Sequence, residues 1–360
     1  MKIVSFAKPI VWDAGSRTLD AEVPYLLEDQ GVPGMLHRAK GDGQVRSIGF
    51  KWSVEEMDGE PDRDWKILVI RAGGAGDILY TTPILRELKR RYPNCRISYC
   101  AGSRLPWVLE NNPSVDGFIQ YPPTLSECAG FDQVLSLEGA IEGNITDHAV
   151  DCFAKAAGIT PLDRSYVLNL PPLKIEQART FLPRHGKYRV AIQPRSSSPV
   201  RTYPDHLMSY VVRELMANDV QCVLIAEHKS VVTPSDWFPR TVNLAMMKNP
   251  LPWQDCVCLV YHCDVVLAPD SSLLPFASAM LKPTIGLWGS FRPELRVMDG
   301  ARHTALMGSG ACKLAPCMHH PGCSTTFPEG GPCNISGICD ELASIKPKDV
   351  VRAVLEACRA

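Results

Sequence analysis

The chain has 360 residues, 45% of them hydrophobic and 21% charged, with a formal net charge of −1. That length exceeds one hydrophobic core, so two domains with additions are expected. The near-neutral balance excludes a global electrostatic pull on nucleic acid, and no run reaches the roughly 18 apolar residues of a membrane span.

In chain order, residues 1–65 read as a separate, small β-rich extension. Residues 2–6, 10–12 and 45–52 are strand-like runs, and an acidic polar link covers 55–64. Within it Asp62 and Asp64 have the spacing of a metal-binding DxD but precede their strand, so they read as solvated surface. From Lys66 the pattern changes to strands alternating with helices. Strands are expected at 67–70, 96–100, 117–120 and 133–136, with helices at 77–91 and 144–157. A proline-rich link at 170–173 leads through a helix to a second cycle. Its strands are 189–193, 220–225, 265–267 and 284–287, and its helices 206–217, 271–280 and 347–358. Such alternation predicts parallel sheets with right-handed crossovers. The start of the chain lacks a long apolar h-region and cleavage site, so a cytoplasmic location is expected, with a peripheral inner-membrane position as its variant.

Four places carry candidate chemistry. Asp77 follows Gly73, Gly74 and Gly76 between an apolar strand and an amphipathic helix. The glycines let the backbone turn sharply and leave room for a ligand. A carboxylate at a helix N-terminus is favoured as the ion, so it can take a proton from a hydroxyl. The same position also suits a plain N-cap. The pattern is not GxGxxG, so it gives no dinucleotide fingerprint. In the second cycle, Ser196, Ser197, Arg195 and Arg201 follow the first strand and could cradle phosphate. Asp270, Ser271 and Ser272 follow the strand at 265–267 and could form an anion site or a helix cap. Glu227, just past the strand at 220–225, could reach a ribose or base, or be merely solvated.

Of fourteen cysteines, Cys222, Cys256, Cys258 and Cys263 lie in apolar segments and read as small core hydrophobes. Cys312, Cys317, Cys323, Cys333 and Cys339 crowd one short segment instead. In a reducing compartment such crowding points to a structural iron or zinc before disulfides. Free or disulfide-linked thiols stay open as the other reading.

Taken together these segments resemble glycosyltransferase family 9, the heptosyltransferase-like enzymes. The first motif is the glycine loop with Gly76 and Asp77, then Thr82 and Pro83. The second runs from Gln193 and Pro194 through Ser196, Ser197 and Arg201 to Tyr203 and Pro204. The third holds Asp270, Ser271, Ser272 and Leu273, then Ala277, Lys282, Pro283, Trp288 and Gly289. Arg201 stands where the family pattern has lysine, Tyr203 where it has tryptophan, Ser272 where it has glycine and Pro275 where it has histidine. The resemblance implies a GT-B fold, two Rossmann-like domains facing a cleft. It implies inverting sugar transfer from a nucleoside diphosphate sugar, ADP-heptose first, to an acceptor hydroxyl. It makes Asp77 the general base, and Gly76, Ser196, Ser197, Arg201, Glu227, Asp270, Ser271, Ser272 and Leu273 the donor site. No cofactor is implied for catalysis. The cysteine segment and the N-terminal addition resemble the family's autotransporter branch, which glycosylates protein serines and carries a cysteine-bound iron finger.

The expected organisation is therefore an extension at 1–65, an acceptor-side domain at 66–185 and a donor domain at 186–300. A cysteine-rich segment at 301–345 and a final helix at 346–360 complete it. The acceptor is a protein or a lipopolysaccharide core, nucleic acid is not expected as a partner, and a homo-oligomer is allowed. An NDP-sugar epimerase or hydrolase, or a non-catalytic nucleotide-sugar-binding protein, are the alternatives.

Overall fold

The computed structural model describes strands within residues 2–47, and residues 51–103, 105–142, 144, 146–183, 185–196, 201–225, 240–244, 251–312, 315–316 and 339–360. The chain divides into two compact units. One is Met1–Glu142 with Ala149–Asn169; the other is Gly143–His148 with Leu170–Ala360.

The first unit opens with β1 (Lys2–Phe6), β2 (Ile10–Trp12), β3 (Arg17–Leu19), β4 (Tyr25–Leu27) and β5 (Gly43–Ser47). Strand β1 pairs antiparallel with β4 and β5, and β2 with β3. The acidic link contains a helix, α1 (Val54–Gly59). Ser53 accepts the N–H of Glu56 and Met57 is buried. The Ser53-x-x-Glu56 spacing is a capping signature that outweighs the polar composition.

A parallel sheet follows. Its elements are β6 (Lys66–Ile70), α2 (Ala75–Tyr80), α3 (Thr82–Arg91), β7 (Arg96–Ala101), β8 (Gly117–Gln120), α4 (Leu125–Ala129), β9 (Gln133–Ser136) and α5 (Ala149–Ala157). The strand order is β8-β7-β6-β9, all parallel. Ile67, Leu68, Val69 and Ile70 are all fully buried, as a strand covered on both faces requires. The single helix expected over 77–91 is broken at Thr81. Pro83 has no N–H for the Leu79 carbonyl, and the Thr82 hydroxyl donates to it instead at 2.7 Å.

The second unit comprises α6 (Pro172–Arg179), β10 (Tyr188–Ile192), α7 (Asp205–Ala217), β11 (Val220–Leu224), β12 (Thr241–Asn243), α8 (Trp253–Val260), β13 (Val265–Pro269), α9 (Leu273–Ala279), β14 (Thr284–Trp288), β15 (His303–Met307), α10 (Asp340–Ala343) and α11 (Pro347–Arg359). Its parallel strands run β12-β11-β10-β13-β14-β15. Alternate residues feed opposite faces. Val190, Ile192, Val265 and Leu267 pack with Val211 and Leu215 of α7 and Val350 and Val354 of α11. Ala191, Val266 and Ala268 pack with Cys258 and Leu259 of α8 and Leu273 and Ala277 of α9. The edge strands β12 and β15 were not expected; one is only three residues long and the other is largely solvent-facing.

Each sheet reverses its direction of growth once, between β6 and β9 in the first unit and between β10 and β13 in the second. Ligand sites of open parallel sheets lie outside the strand ends at such points.

Candidate active site

In the first unit the reversal point carries a charge cluster around a buried arginine. Arg71 directly follows β6 and is 2% exposed. Its Nη2 donates to Asp77 Oδ2 at 3.0 Å and to Glu142 Oε1 at 2.7 Å, and its Nη1 to Glu138 Oε2 at 3.4 Å. Glu138 comes from the end of β9 and also accepts the Ala72 N–H through Oε1. The guanidinium carbon sits 5.5 Å from the centre of the Phe153 ring, a cation–π distance. Burial opposes the Arg71 charge, but Asp77, Glu142 and Glu138 outweigh it and push the guanidinium above its ordinary value.

Asp77 is the third residue of α2, not its cap; Gly74 holds the cap position and donates its N–H to Asp77 Oδ2 at 3.1 Å. The side chain is 30% exposed. A Cβ on Gly73 would lie 2.7 Å from Asp77 Oδ2 and 2.8 Å from Arg71 Nη2. Any side chain there would have to displace one member of the ion pair. Gly76 is buried in the first turn of α2.

In the second unit, the reversal point lies beside Gln193 and Ser271. The Gln193 N–H donates to Leu267 O at 2.9 Å, and the Ser271 hydroxyl donates to Gln193 Oε1 at 2.7 Å. Arg201 Nη1 lies 3.6 Å from Asp270 Oδ2, and Asp270 is buried. Arg195 is instead paired with Asp205 at the start of α7. Ser196 is linked to Thr202, its N–H donating to Thr202 Oγ1 at 3.4 Å. Ser272 occupies the cap position of α9 without a side-chain capping bond, and Leu273 is fully buried. Pro275 stands in the first turn of α9, where its missing N–H removes no helical bond. Tyr203 is fully buried and donates its O–H to Ile345 O at 2.8 Å.

No protein-family model matches the chain, and no curated protein matches it significantly. Solved structures do. A glycosyl transferase family 9 protein from Veillonella parvula DSM 2008 superposes with a TM-score of 0.62 at 17% identity, over 83% of this chain and 98% of that one. The ADP-heptose LPS heptosyltransferase II of E. coli superposes with a TM-score of 0.62 at 16% identity, over 82% of this chain and 98% of its own. The iron-containing dodecameric glycosyltransferase TibC of enterotoxigenic E. coli H10407 gives 0.60 at 16% identity, over 88% and 81%.

The chain has the GT-B fold. Of the candidate GT-B donor residues, Arg201 and Asp270 are brought together, and Ser271 meets Gln193. Ser197 and Glu227 lie outside the described residues, as do Cys317, Cys323 and Cys333. Cys339 is 3% exposed, precedes α10 and packs in the core of the second unit. Cys312 donates its N–H to Glu341 Oε2 at 3.0 Å, which ties its backbone to that same helix. Among the described residues no group of three or more His, Cys, Asp or Glu is placed to hold a metal.

Arg71, Glu138 and Glu142 were not read as candidate site residues, and Gln193 was read only as the start of the second motif. The signal for Arg71 and Gln193 was positional: each is the first polar residue after a buried parallel strand. Glu138 and Glu142 had no local signal for this role, because the guanidinium they bind lies more than sixty residues away.

Proposed function

We propose that this chain is an inverting glycosyltransferase of family 9 that moves heptose from ADP-heptose to an acceptor hydroxyl. The observation that carries the reading is Asp77, a partly exposed carboxylate at the sheet's reversal point, held through one oxygen. The GT-B fold, shared with structures described as ADP-heptose transferases, supplies the context. The acceptor oxygen attacks the anomeric carbon as its proton passes to Asp77. The bond from that carbon to the diphosphate oxygen breaks on the opposite face, and ADP leaves with the electron pair. Arg201, with the hydroxyls of Ser196, Ser197, Ser271 and Ser272, offsets the charge growing on the diphosphate. No metal is needed for that step.

A protein hydroxyl is the favoured acceptor, since the cysteine segment resembles the protein-modifying branch; a lipopolysaccharide core is the other. The thiol donors at Cys312 and Cys339 fit iron or zinc in chemical kind, and a metal held with Cys317, Cys323 and Cys333 would pin that segment structurally. Assembly of several copies and a cytoplasmic location, reducing for thiols, go with this reading.

Mass spectrometry of protein and lipopolysaccharide acceptors, incubated with a panel of nucleotide sugars, tests it. Asp77→Asn should lower transfer by about a hundredfold or more, with ADP binding by calorimetry unchanged. Undiminished transfer would remove Asp77 as the base, and free sugar without a modified acceptor would favour a hydrolase.

A further inference from the structure

Asp77 has two oxygens, and the protein treats them differently. Arg71 Nη2 and the Gly74 N–H both donate to Oδ2, at 3.0 and 3.1 Å. Among the described residues no hydrogen bond reaches Oδ1. Arg71 in turn is locked from the other side of the reversal point. Glu138 takes its Nη1, Glu142 shares its Nη2, and the Phe153 ring stands beside the guanidinium. Tyr99 is the other titratable group near the pair, and its buried O–H is engaged with Thr81 Oγ1 at 3.1 Å.

We infer that Arg71, anchored by Glu138 and Glu142, is the positioning residue that fixes Asp77 through Oδ2 and leaves Oδ1 to take the acceptor's proton. This rests on the transferase reading above. A carboxylate clamped at one oxygen cannot rotate freely, so its other oxygen has a defined direction, as proton transfer requires. Three carboxylates around one guanidinium also divide its field. Removing Arg71 or removing Glu138 therefore changes the field at Asp77 in opposite directions. Glu138 thus holds the clamp from the far side of the guanidinium.

The test compares wild type with Arg71→Gln, Arg71→Lys and Glu138→Gln. Turnover of ADP-heptose with the acceptor found in the product screen is followed as released ADP across pH, and ADP affinity is measured alongside. ADP affinity should stay within about twofold in all three. Arg71→Gln should lower kcat about ten- to a hundredfold and move the low-pH limb of kcat upward, because losing the cation eases protonation of Asp77. Glu138→Gln should move the limb downward, the opposite direction, because it frees the Arg71 field for Asp77. Arg71→Lys should leave the limb near wild type and recover part of kcat, since it keeps charge and loses the fork. If Arg71→Gln does not fold, the other two variants decide. Reduced rates with the limb unmoved in the folded variants would make Arg71 a packing residue and overturn the proposal. A wild type that releases no ADP with any acceptor would remove the transferase reading, and this role with it.

Discussion

At the scale of single residues, the site depends on a space that only glycine leaves open. Gly73 sits where any Cβ would fall within 3 Å of both members of the Arg71–Asp77 pair. Arg71 is held by two further carboxylates, so making room displaces Asp77 or breaks one of those pairs. Gly73→Ala should therefore cut turnover about tenfold or more while costing about 1–3 kcal/mol of stability. Steady-state kinetics beside urea unfolding would show it; intact turnover would mean that the pair shifts without consequence. Asp77 itself was legible from its local pattern of strand, glycines and helix. Its exact place was not: it stands at the third helical position and uses its carboxylate on the Gly74 N–H. Local pattern could not separate a cap from a residue one turn inside, since both present a carboxylate to the same free N–H groups.

At the scale of elements, β14 and β15 are joined by more than their ladder. Trp288 Nε1 donates to His303 Nε2 at 3.1 Å, and His303 Nδ1 meets Thr284 Oγ1 at 2.7 Å. An acceptor at Nε2 requires the neutral ring. Burial pushes His303 down to about 4 from an ordinary value of 6.5. Between those values the unfolded chain binds more protons than the folded one. This contribution to stability is therefore full above the unfolded value and is lost as pH falls toward the folded one. Denaturant unfolding at about pH 7.5 and about pH 5 should show a loss in wild type that His303→Gln lacks. An equal loss in both would locate the pH sensitivity elsewhere. The β15 edge was not readable from hydrophobic pattern, because an edge strand facing solvent needs no apolar run. The break at Thr81 could have been read, since Pro83 must forfeit a helical bond.

At the scale of the whole molecule, most of the described cysteines are core thiols. Cys95, Cys222, Cys256, Cys258 and Cys263 are almost wholly buried in the two units. Burial pushes Cys95 and Cys258 up to about 11 and Cys263 to about 12. Such thiols are inert in the native state. A thiol reagent at about pH 8 should leave these five unlabelled in native protein and label them after denaturation, as read by peptide mass spectrometry. Native labelling would contradict the packing of both sheets. Metal analysis of the same protein addresses the cysteine-rich segment: iron or zinc at about one per chain is expected, and its removal should leave the two sheet cores folded.

The alternation of apolar strands with amphipathic helices determined two parallel α/β sheets without any coordinates, because a strand buried on both faces must be apolar throughout. The loops that end those strands were equally visible, since glycine and serine clusters mark where backbone turns and N–H groups are free. What tertiary structure alone decided is which distant side chains meet there. Glu138 and Glu142 reach Arg71, and Ser271 reaches Gln193, only after the chain crosses back over its own sheet. Ion pairs and hydrogen bonds act over a few ångströms, and a sequence records order along the chain, not proximity across a crossover.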